Sequence, residues 1–396
     1  MNGSISGISG SLIYAEGLSD AVTFDMVQVG GAALLGRIIG ITETQTEIQM
    51  YDTAAGLTVG TKVVALLTPL TMELGPGLLS TVFDGIGRPL SGGEIPRGRS
   101  SAVLDRTNCR QFIPAVRVGD FLRPDDTVGT VWETEQICHR IAVPQGLEGV
   151  VSFVADGSLC VADPAAILED AAGEWHTLTM LREQPMQKPR IGIQKRLPTR
   201  PLFRERSDAA AKGMAAALLC RSEQGKASLL RQIAEAADVD VVVWIGCALR
   251  GDRLVQLRET METERTVLIA NTVDMPPAVR EASLDTGLTI AEYYRDMGYD
   301  VLVVVEDLSR WADALGVLSG ERGSLPDESG YPVGLCSRLM QCCARAGETV
   351  CLNGARRFGS VTFVAAALQM AEDVHDPVVQ AIQRAADVLW KEENMP

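Results

Sequence analysis

Three short segments of the sequence carry side chains that could bind a phosphate or a metal ion. Gly225-Lys226 lies between an apolar run and a stretch with helical spacing, and backbone N–H groups with a lysine at the start of a helix bind phosphate. Arg250 follows a second apolar run, and Glu306-Asp307 follows a third. Carboxylates are the ligands that Mg²⁺ prefers, so these residue types indicate chemistry on a phosphorylated ligand.

The elements that must hold these residues alternate between strand and helix. Residues 239–245, 266–270 and 301–305 are continuous apolar runs, which are typical of strands buried on both faces of a parallel sheet. Helical stretches lie between or after them, notably residues 276–297 and 310–318. This alternation predicts a parallel α/β domain whose ligand site lies at the carboxyl ends of its strands.

The remainder of the chain predicts two β-rich units. Residues 1–70 combine short strand-like segments with glycine-rich turns, which predicts a small β-barrel. Residues 91–184 predict an inserted β-rich domain, and a proline-rich linker follows it. Residues 71–90 and 185–396 are then expected to form the α/β domain, with a helix-like segment at 377–390 closing it.

Composition excludes several classes of function. The 396 residues carry a formal net charge of −15, and an acidic surface repels nucleic acid. No apolar stretch approaches the roughly 20 residues of a membrane span, and the N-terminus has no pattern of a secretion signal. Nine cysteines without regular spacing predict reduced thiols rather than disulfides or zinc. We therefore expect a cytoplasmic protein without a nucleic-acid partner and without direct membrane insertion.

Twelve short phrases, spread in order along the chain, resemble the A-type catalytic chain, or alpha chain, of archaeal-type and vacuolar-type rotary ATPases. They are ELGPGLL at 73–79, FDGI at 83–86, RPL at 88–90, HR at 139–140, IGC at 245–247, ERTVLIANT at 264–272, TIAEY at 289–293, RDMGYDV at 295–301, SRW at 309–311, GYP at 330–332, SRL at 337–339 and GSV at 359–361. One such phrase is weak evidence, but a dozen in the family's order are specific. The resemblance runs from the first residues to about residue 390.

The resemblance implies an N-terminal barrel, an inserted bulge domain and a RecA-like nucleotide domain of the P-loop type. It implies partners as well: a B-type subunit, or further copies of this chain, in a hexameric ring, together with stalk subunits. Such a ring couples ATP hydrolysis or synthesis to proton or sodium transport, which implies a cytoplasmic protein peripheral to a membrane. The family continues into a helical C-terminal domain, which we expect to be absent from this chain.

The family's phosphate loop, G-x-x-x-x-G-K-[ST], is altered here. Gly225 and Lys226 are retained, whereas Cys220 replaces the first glycine and Ala227 replaces the hydroxyl that ligates Mg²⁺. Ser228 is adjacent, but one residue along a helix is a rotation of about 100°, so its hydroxyl should point elsewhere. Two interpretations stay open: a residual, weakened anion site, or a Lys226 that is solvated at a helix start.

The family's other catalytic positions have changed too. Leu249 occupies the place of the glutamate that orients or deprotonates the attacking water, and it can neither accept nor donate a proton. Arg250 is retained, either as a residual phosphate contact or as a structural ion-pair residue. Glu306 replaces the Mg²⁺-binding aspartate, and Glu306 and Asp307 are weak metal candidates beside an interpretation without metal. Glu223 brings a negative charge into a loop position that is small in the family.

These departures spare the framework and fall on the chemistry, which predicts a catalytically impaired pseudo-enzyme. We expect an A-type component of a rotary ATPase with weak or no binding of Mg-ATP. Two alternatives stay open. One is a working ATP-hydrolysing subunit with a site rebuilt around Asp307, and the other is an oligomeric interaction or scaffold module outside any ion pump.

Overall fold

The computed structural model describes most of the chain. It covers residues 2–90, 97–98, 103–186, 200–204, 210–260, 263–324, 331–350, 358–369 and 376–394, and the backbone of 195–196. The first residues of the predicted insert, most of the predicted linker and Cys351 lie outside the described residues. No helix in the described part is long and apolar enough to cross a membrane.

The first strands close into a six-stranded antiparallel barrel, which confirms the predicted fold of this part. In chain order they are β1 (Asn2–Ser9), β2 (Leu12–Glu16), β3 (Asp25–Val29), β4 (Leu34–Ile41), β5 (Thr46–Met50) and β6 (Lys62–Pro69). Their order around the barrel is β1-β2-β5-β4-β3-β6. Because alternate side chains of a strand point to opposite faces, Ile13, Val27 and Ile38 meet in a closed apolar core.

Two short strands lead out of the barrel, and a β-sandwich follows. The leading strands are β7 (Thr71–Leu74) and β8 (Val82–Phe83). The sandwich contains β9 (Arg110–Pro114), β10 (Phe121–Leu122), β11 (Thr127–Trp132), β12 (Cys138–Ala142), β13 (Gly149–Val154), β14 (Gly157–Leu159), β15 (Ala166–Glu169) and β16 (Trp175–Leu178). Its two sheets have the orders β10-β13-β15-β16 and β12-β11-β9-β14. Phe112, Val131 and Leu168 are buried between them, so the insert has a core of its own.

The structure corrects the expectation that all thiols are reduced. Cys109 and Cys160 form a disulfide. They stand next to the paired residues Arg110 and Leu159 of β9 and β14, so strand register brings them face to face. Register of this kind, between cysteines 51 residues apart, cannot be read from cysteine spacing. The other described cysteines are free thiols.

The third unit is a parallel α/β domain, as predicted. Before it come β17 (Arg182–Pro185), which pairs with β7, and β18 (Lys195–Arg196). The domain then contains β19 (Ala215–Cys220), α1 (Glu223–Ala236), β20 (Val241–Leu249), α2 (Gly251–Thr260), β21 (Thr266–Thr272), α3 (Pro277–Asp296), β22 (Asp300–Val305), α4 (Leu308–Glu321), α5 (Leu335–Arg345), β23 (Gly347–Val350), β24 (Phe358–Leu368), α6 (Pro377–Ala385) and β25 (Val388–Lys391).

Seven parallel strands of this domain form one continuous sheet in the order β25-β19-β24-β22-β20-β21-β8. The strands are buried on both faces because helices cover them, which explains their unbroken apolar sequences. The carboxyl ends of β19, β20 and β22 lie at one edge of the sheet. The segments that carry Lys226, Arg250 and Glu306 therefore meet there.

The structure differs from the sequence prediction at the end of the domain. The sequence predicts a helix-like segment over residues 377–390, but α6 ends at Ala385 and β25 follows it. Asp387 explains the change, because its backbone N–H and its carboxylate both bond to the backbone of Ala215 at 2.8 Å. These bonds start a parallel pairing of β25 with β19. A local helical pattern thus yields to a tertiary contact.

Helix α3 connects the three units. It is buried along nearly its whole length. Tyr293 on this helix bonds to His139 of the insert at 2.9 Å. Glu281 on the same helix lies 3.7 Å from Arg37 of the barrel, and both side chains are buried. The helix thus fixes the barrel and the insert against the sheet that carries the candidate site.

Candidate functional site

The segment that matches the phosphate loop is short and folded into a helix. β19 ends at Cys220 and α1 begins at Glu223, so only Arg221 and Ser222 lie between them. The Ser222 side chain caps α1 by accepting the Gly225 N–H at 3.0 Å. An N–H group that a phosphate would use is therefore already bonded within the chain. The sequence prediction started this helix at Lys226, three residues too late.

Lys226 is buried and neutralised. Its side chain is 2% exposed, and its Nζ lies 2.5 Å from Asp307 Oδ2 and 2.7 Å from Glu223 Oε2. Asp307 also caps α4 by accepting the Arg310 N–H at 3.2 Å. The amine is thus not solvated, as one interpretation of the sequence had it, and it is held by two carboxylates.

Glu306 is held in a comparable way at the end of β22. It is 6% exposed. The Trp244 indole N–H donates to its Oε2 at 2.9 Å, and Arg253 Nε of α2 donates to its Oε1 at 2.7 Å. Both oxygens of this metal candidate therefore already accept hydrogen bonds from protein groups.

Leu249 and Arg250 turn away from each other where β20 ends. Leu249 is 5% exposed and packs over Gly246, where an added Cβ would lie 2.5 Å from its Cδ1. The Arg250 side chain is 80% exposed and lies 3.3 Å from Asp252 Oδ2. Between them and the core lies Cys247, and burial raises the pKa of its thiol to about 12. No described group at this strand end is placed to take a proton from a water molecule.

Two neighbouring cavities lie at this edge of the sheet. The first has a volume of about 480 Å³, and Lys226, Leu249, Arg250, Glu306 and Asp307 all line it. The second, of about 470 Å³, lies between α1 and α2 and is lined by Ser228 and Trp244. The structure thus brings most predicted site residues together. Gly225 lines neither cavity, and Ser228 faces the second one, as its helical position predicted.

Sequence reasoning missed three residues of this site. Trp244 and Arg253 hold Glu306, and Glu392 accepts the Arg221 N–H at 2.7 Å. Trp244 lies inside an apolar strand and Arg253 lies on an exposed helix, so neither belongs to a recognisable motif. Glu392 follows Arg221 by 171 residues, a distance over which no local pattern operates.

Comparison with known proteins agrees with this geometry. Residues 209–391 match the nucleotide-binding domain of the ATP synthase alpha/beta family, and residues 101–187 match the barrel-sandwich domain of ATP synthase alpha/beta subunits. The A-type ATP synthase chain of this kind from Methanopyrus kandleri is 40% identical over 98% of this chain and 70% of its own length. A V-type ATP synthase alpha chain from Acetivibrio thermocellus shows the same identity and coverage. In Clostridioides difficile, another V-type ATP synthase alpha chain is 40% identical over 98% of this chain and 69% of its own.

The parallel sheet, the position of its candidate site and the identity along nearly the whole chain point to one assignment. The chain belongs to the alpha-chain family of A-type and V-type ATP synthases.

Proposed function

We propose that this chain is an alpha-chain-like component of a rotary A/V-type ATPase headpiece whose own site binds Mg-ATP weakly or not at all. One observation carries the proposal: the amine of Lys226 is buried between Asp307 and Glu223. A phosphate-loop lysine acts as a positive charge on phosphate oxygens. With two carboxylates beside it, this lysine has little net charge to offer.

The residues present do not fit a magnesium nucleotide. Ala227 supplies no hydroxyl to a metal ion. Asp307 is engaged by Lys226, and Glu306 is engaged by Trp244 and Arg253. Mg²⁺ requires near-ideal octahedral geometry, so carboxylates fixed by other partners are poor ligands for it. A site rebuilt around Asp307 receives no support from these contacts.

Leu249 adds a separate handicap. A positioned general base typically contributes about 10²–10⁴-fold to a reaction rate. Leu249 is an alkyl side chain packed on Gly246, and Arg250 beside it faces solvent. Even a nucleotide that entered the site would meet no base to activate water, so impaired hydrolysis is proposed independently of weak binding.

Assembly is proposed from the relatives' names and from the intact framework. The barrel, the sandwich and the sheet retain closed cores. We propose that residues 1–70, 91–184, and 71–90 with 185–396 act as the barrel, the bulge and the RecA-like domain of a ring component. It would sit in a hexameric ring with a B-type subunit or with itself, contact stalk subunits, and lie in the cytoplasm peripheral to a membrane. In that ring its role is structural or regulatory.

The test is reconstitution with a B-type subunit from the same genome. We expect a stable ring on size-exclusion chromatography and ATP turnover at the background level. Phosphate release that is lost in a Glu306→Gln variant would contradict the impaired site. Failure to associate with any B-type subunit would contradict the place in the ring.

A further inference from the structure

The last described strand delivers a carboxylate to the mouth of the phosphate loop. β25 runs parallel to β19, and Lys391 stands opposite Leu219 near the carboxyl end of that strand. The next residue, Glu392, therefore lies beside Arg221, where β19 gives way to α1. At this edge of the sheet, helices present free N–H groups and a partial positive charge to anions.

The carboxylate of Glu392 makes two close approaches to the loop. Its Oε2 accepts the backbone N–H of Arg221 at 2.7 Å. Its Oε1 lies so near Gly225 that a Cβ added there would overlap it. A carboxylate and a phosphate share negative charge and acceptor oxygens, and both bind backbone N–H groups at this kind of position.

Different residues hold the strand and the loop, so Glu392 itself is not needed for either. β25 is anchored by Asp387, which bonds twice to Ala215, and by the buried ring of Trp390. Ser222 already caps α1. Only the side chain of Glu392 has to rotate for the loop to open. Its charge acts on the strand end as well, because burial first and Glu392 second raise the pKa of the Cys220 thiol to about 11.

We propose that Glu392 is an internal anion that occupies the phosphate position of the loop, so that a phosphate can bind there only when this side chain swings away. The contact is an autoinhibitory one, and it deepens the proposed function because it rests on the impaired site described above. It assigns a reversible part of that impairment to one side chain, in addition to the fixed losses at Ala227 and Leu249.

The experiment is a calorimetric titration of inorganic pyrophosphate into the full chain. This probe reports on the phosphate loop without the base or the sugar of a nucleotide. Wild type is compared with Glu392→Ala, Glu392→Gln and the matched control Glu393→Gln, which removes the same charge from a neighbour that is 57% exposed. We expect both Glu392 variants to bind at least about tenfold more tightly than wild type, and the control to stay within about twofold of it.

Two outcomes overturn the proposal. One is pyrophosphate affinity of both Glu392 variants within about twofold of wild type, including no detectable binding to any of them. The other is an equal gain in Glu393→Gln, which would assign the effect to net charge alone. Glu392→Gln keeps the shape of the side chain, so it preserves the test if Glu392→Ala unfolds.

A second readout reports on the contact directly. The Arg221 amide signal in a ¹⁵N-TROSY spectrum should shift in Glu392→Gln and again on addition of pyrophosphate, and an unmoved signal in both steps refutes the contact. Failure of this inference leaves the impaired ring component intact as a proposal. Turnover by the wild-type ring would instead contradict the impaired ring component.

Discussion

Replacing Lys226 by methionine should destabilise the α/β domain, because the buried ion pair with Asp307 would lose one member. Methionine fills much the same volume, so the change is mainly one of charge. The Asp307 side chain is 10% exposed, and a buried carboxylate left without its partner typically costs about 3–5 kcal/mol. Glu223 is 60% exposed and therefore contributes little to this loss.

The matched variants separate charge from packing. Asp307→Asn keeps a good N-cap on α4 and leaves Lys226 with Glu223, so we expect a smaller loss of about 1–2 kcal/mol. Glu223→Gln should cost less than about 0.5 kcal/mol. The double variant Lys226→Met/Asp307→Asn should lose less than the sum of the single losses, with a coupling energy of about 2 kcal/mol.

The assay is urea unfolding combined with hydrogen exchange of peptides from β19 and α1, which locates the loss in this part of the fold. A Lys226→Met variant within about 1 kcal/mol of wild type would refute the reasoning. It would mean that the amine is hydrated in solution and free to meet a phosphate, as in a working site.

Three further perturbations test other parts of the structure. Gly85→Ala should destabilise the fold by about 1–3 kcal/mol in thermal unfolding, because a Cβ there would overlap the Val279 carbonyl oxygen at the start of α3; an unchanged melting temperature would contradict this packing. Glu133→Gln should cost about 1–3 kcal/mol at pH 7. Burial alone would raise the pKa of Glu133, but the hydrogen bond and charge of His139 lower it overall, so its contribution is present above the ordinary value of 4.5 and is lost as pH falls through the lower folded value. The difference between this variant and wild type should therefore shrink in acid, and a difference that grows in acid would reverse the sign of the argument. Finally, Leu249→Glu should restore no measurable phosphate release in a reconstituted ring, because Lys226 stays paired and Ala227 stays without a hydroxyl; restored turnover would show that Leu249 is the sole defect.

Much of the fold was predictable because its main signals are local. Strands buried on both faces must be apolar throughout, so β20, β21 and β22 could be placed from the sequence. Helix α3 starts and ends within a residue of its predicted bounds. The segment of α6 and β25 was not predictable, because Asp387 and its bonds to Ala215 decide it and both belong to a distant pairing.

The candidate site was predictable in its members but not in its contacts. Strand ends gave the positions of Lys226, Arg250 and Glu306, and one cavity contains all three. The pairing of Lys226 with Asp307 joins residues 81 positions apart. Sequence patterns report which residue types are present at an edge of a sheet, whereas hydrogen-bond partners depend on side-chain geometry after folding.

The position of α3 has a mechanical consequence for the insert. His139 and Tyr299 bond the sandwich to α3 and to the strand that follows it, with Tyr299 Oη accepting the Cys138 N–H at 2.7 Å. The insert therefore behaves as a stiff outrigger rather than as a pendulum on two linkers. A load applied to its outer sheet is carried as torque into the central sheet, and any body that grips this outrigger also holds the orientation of the whole chain.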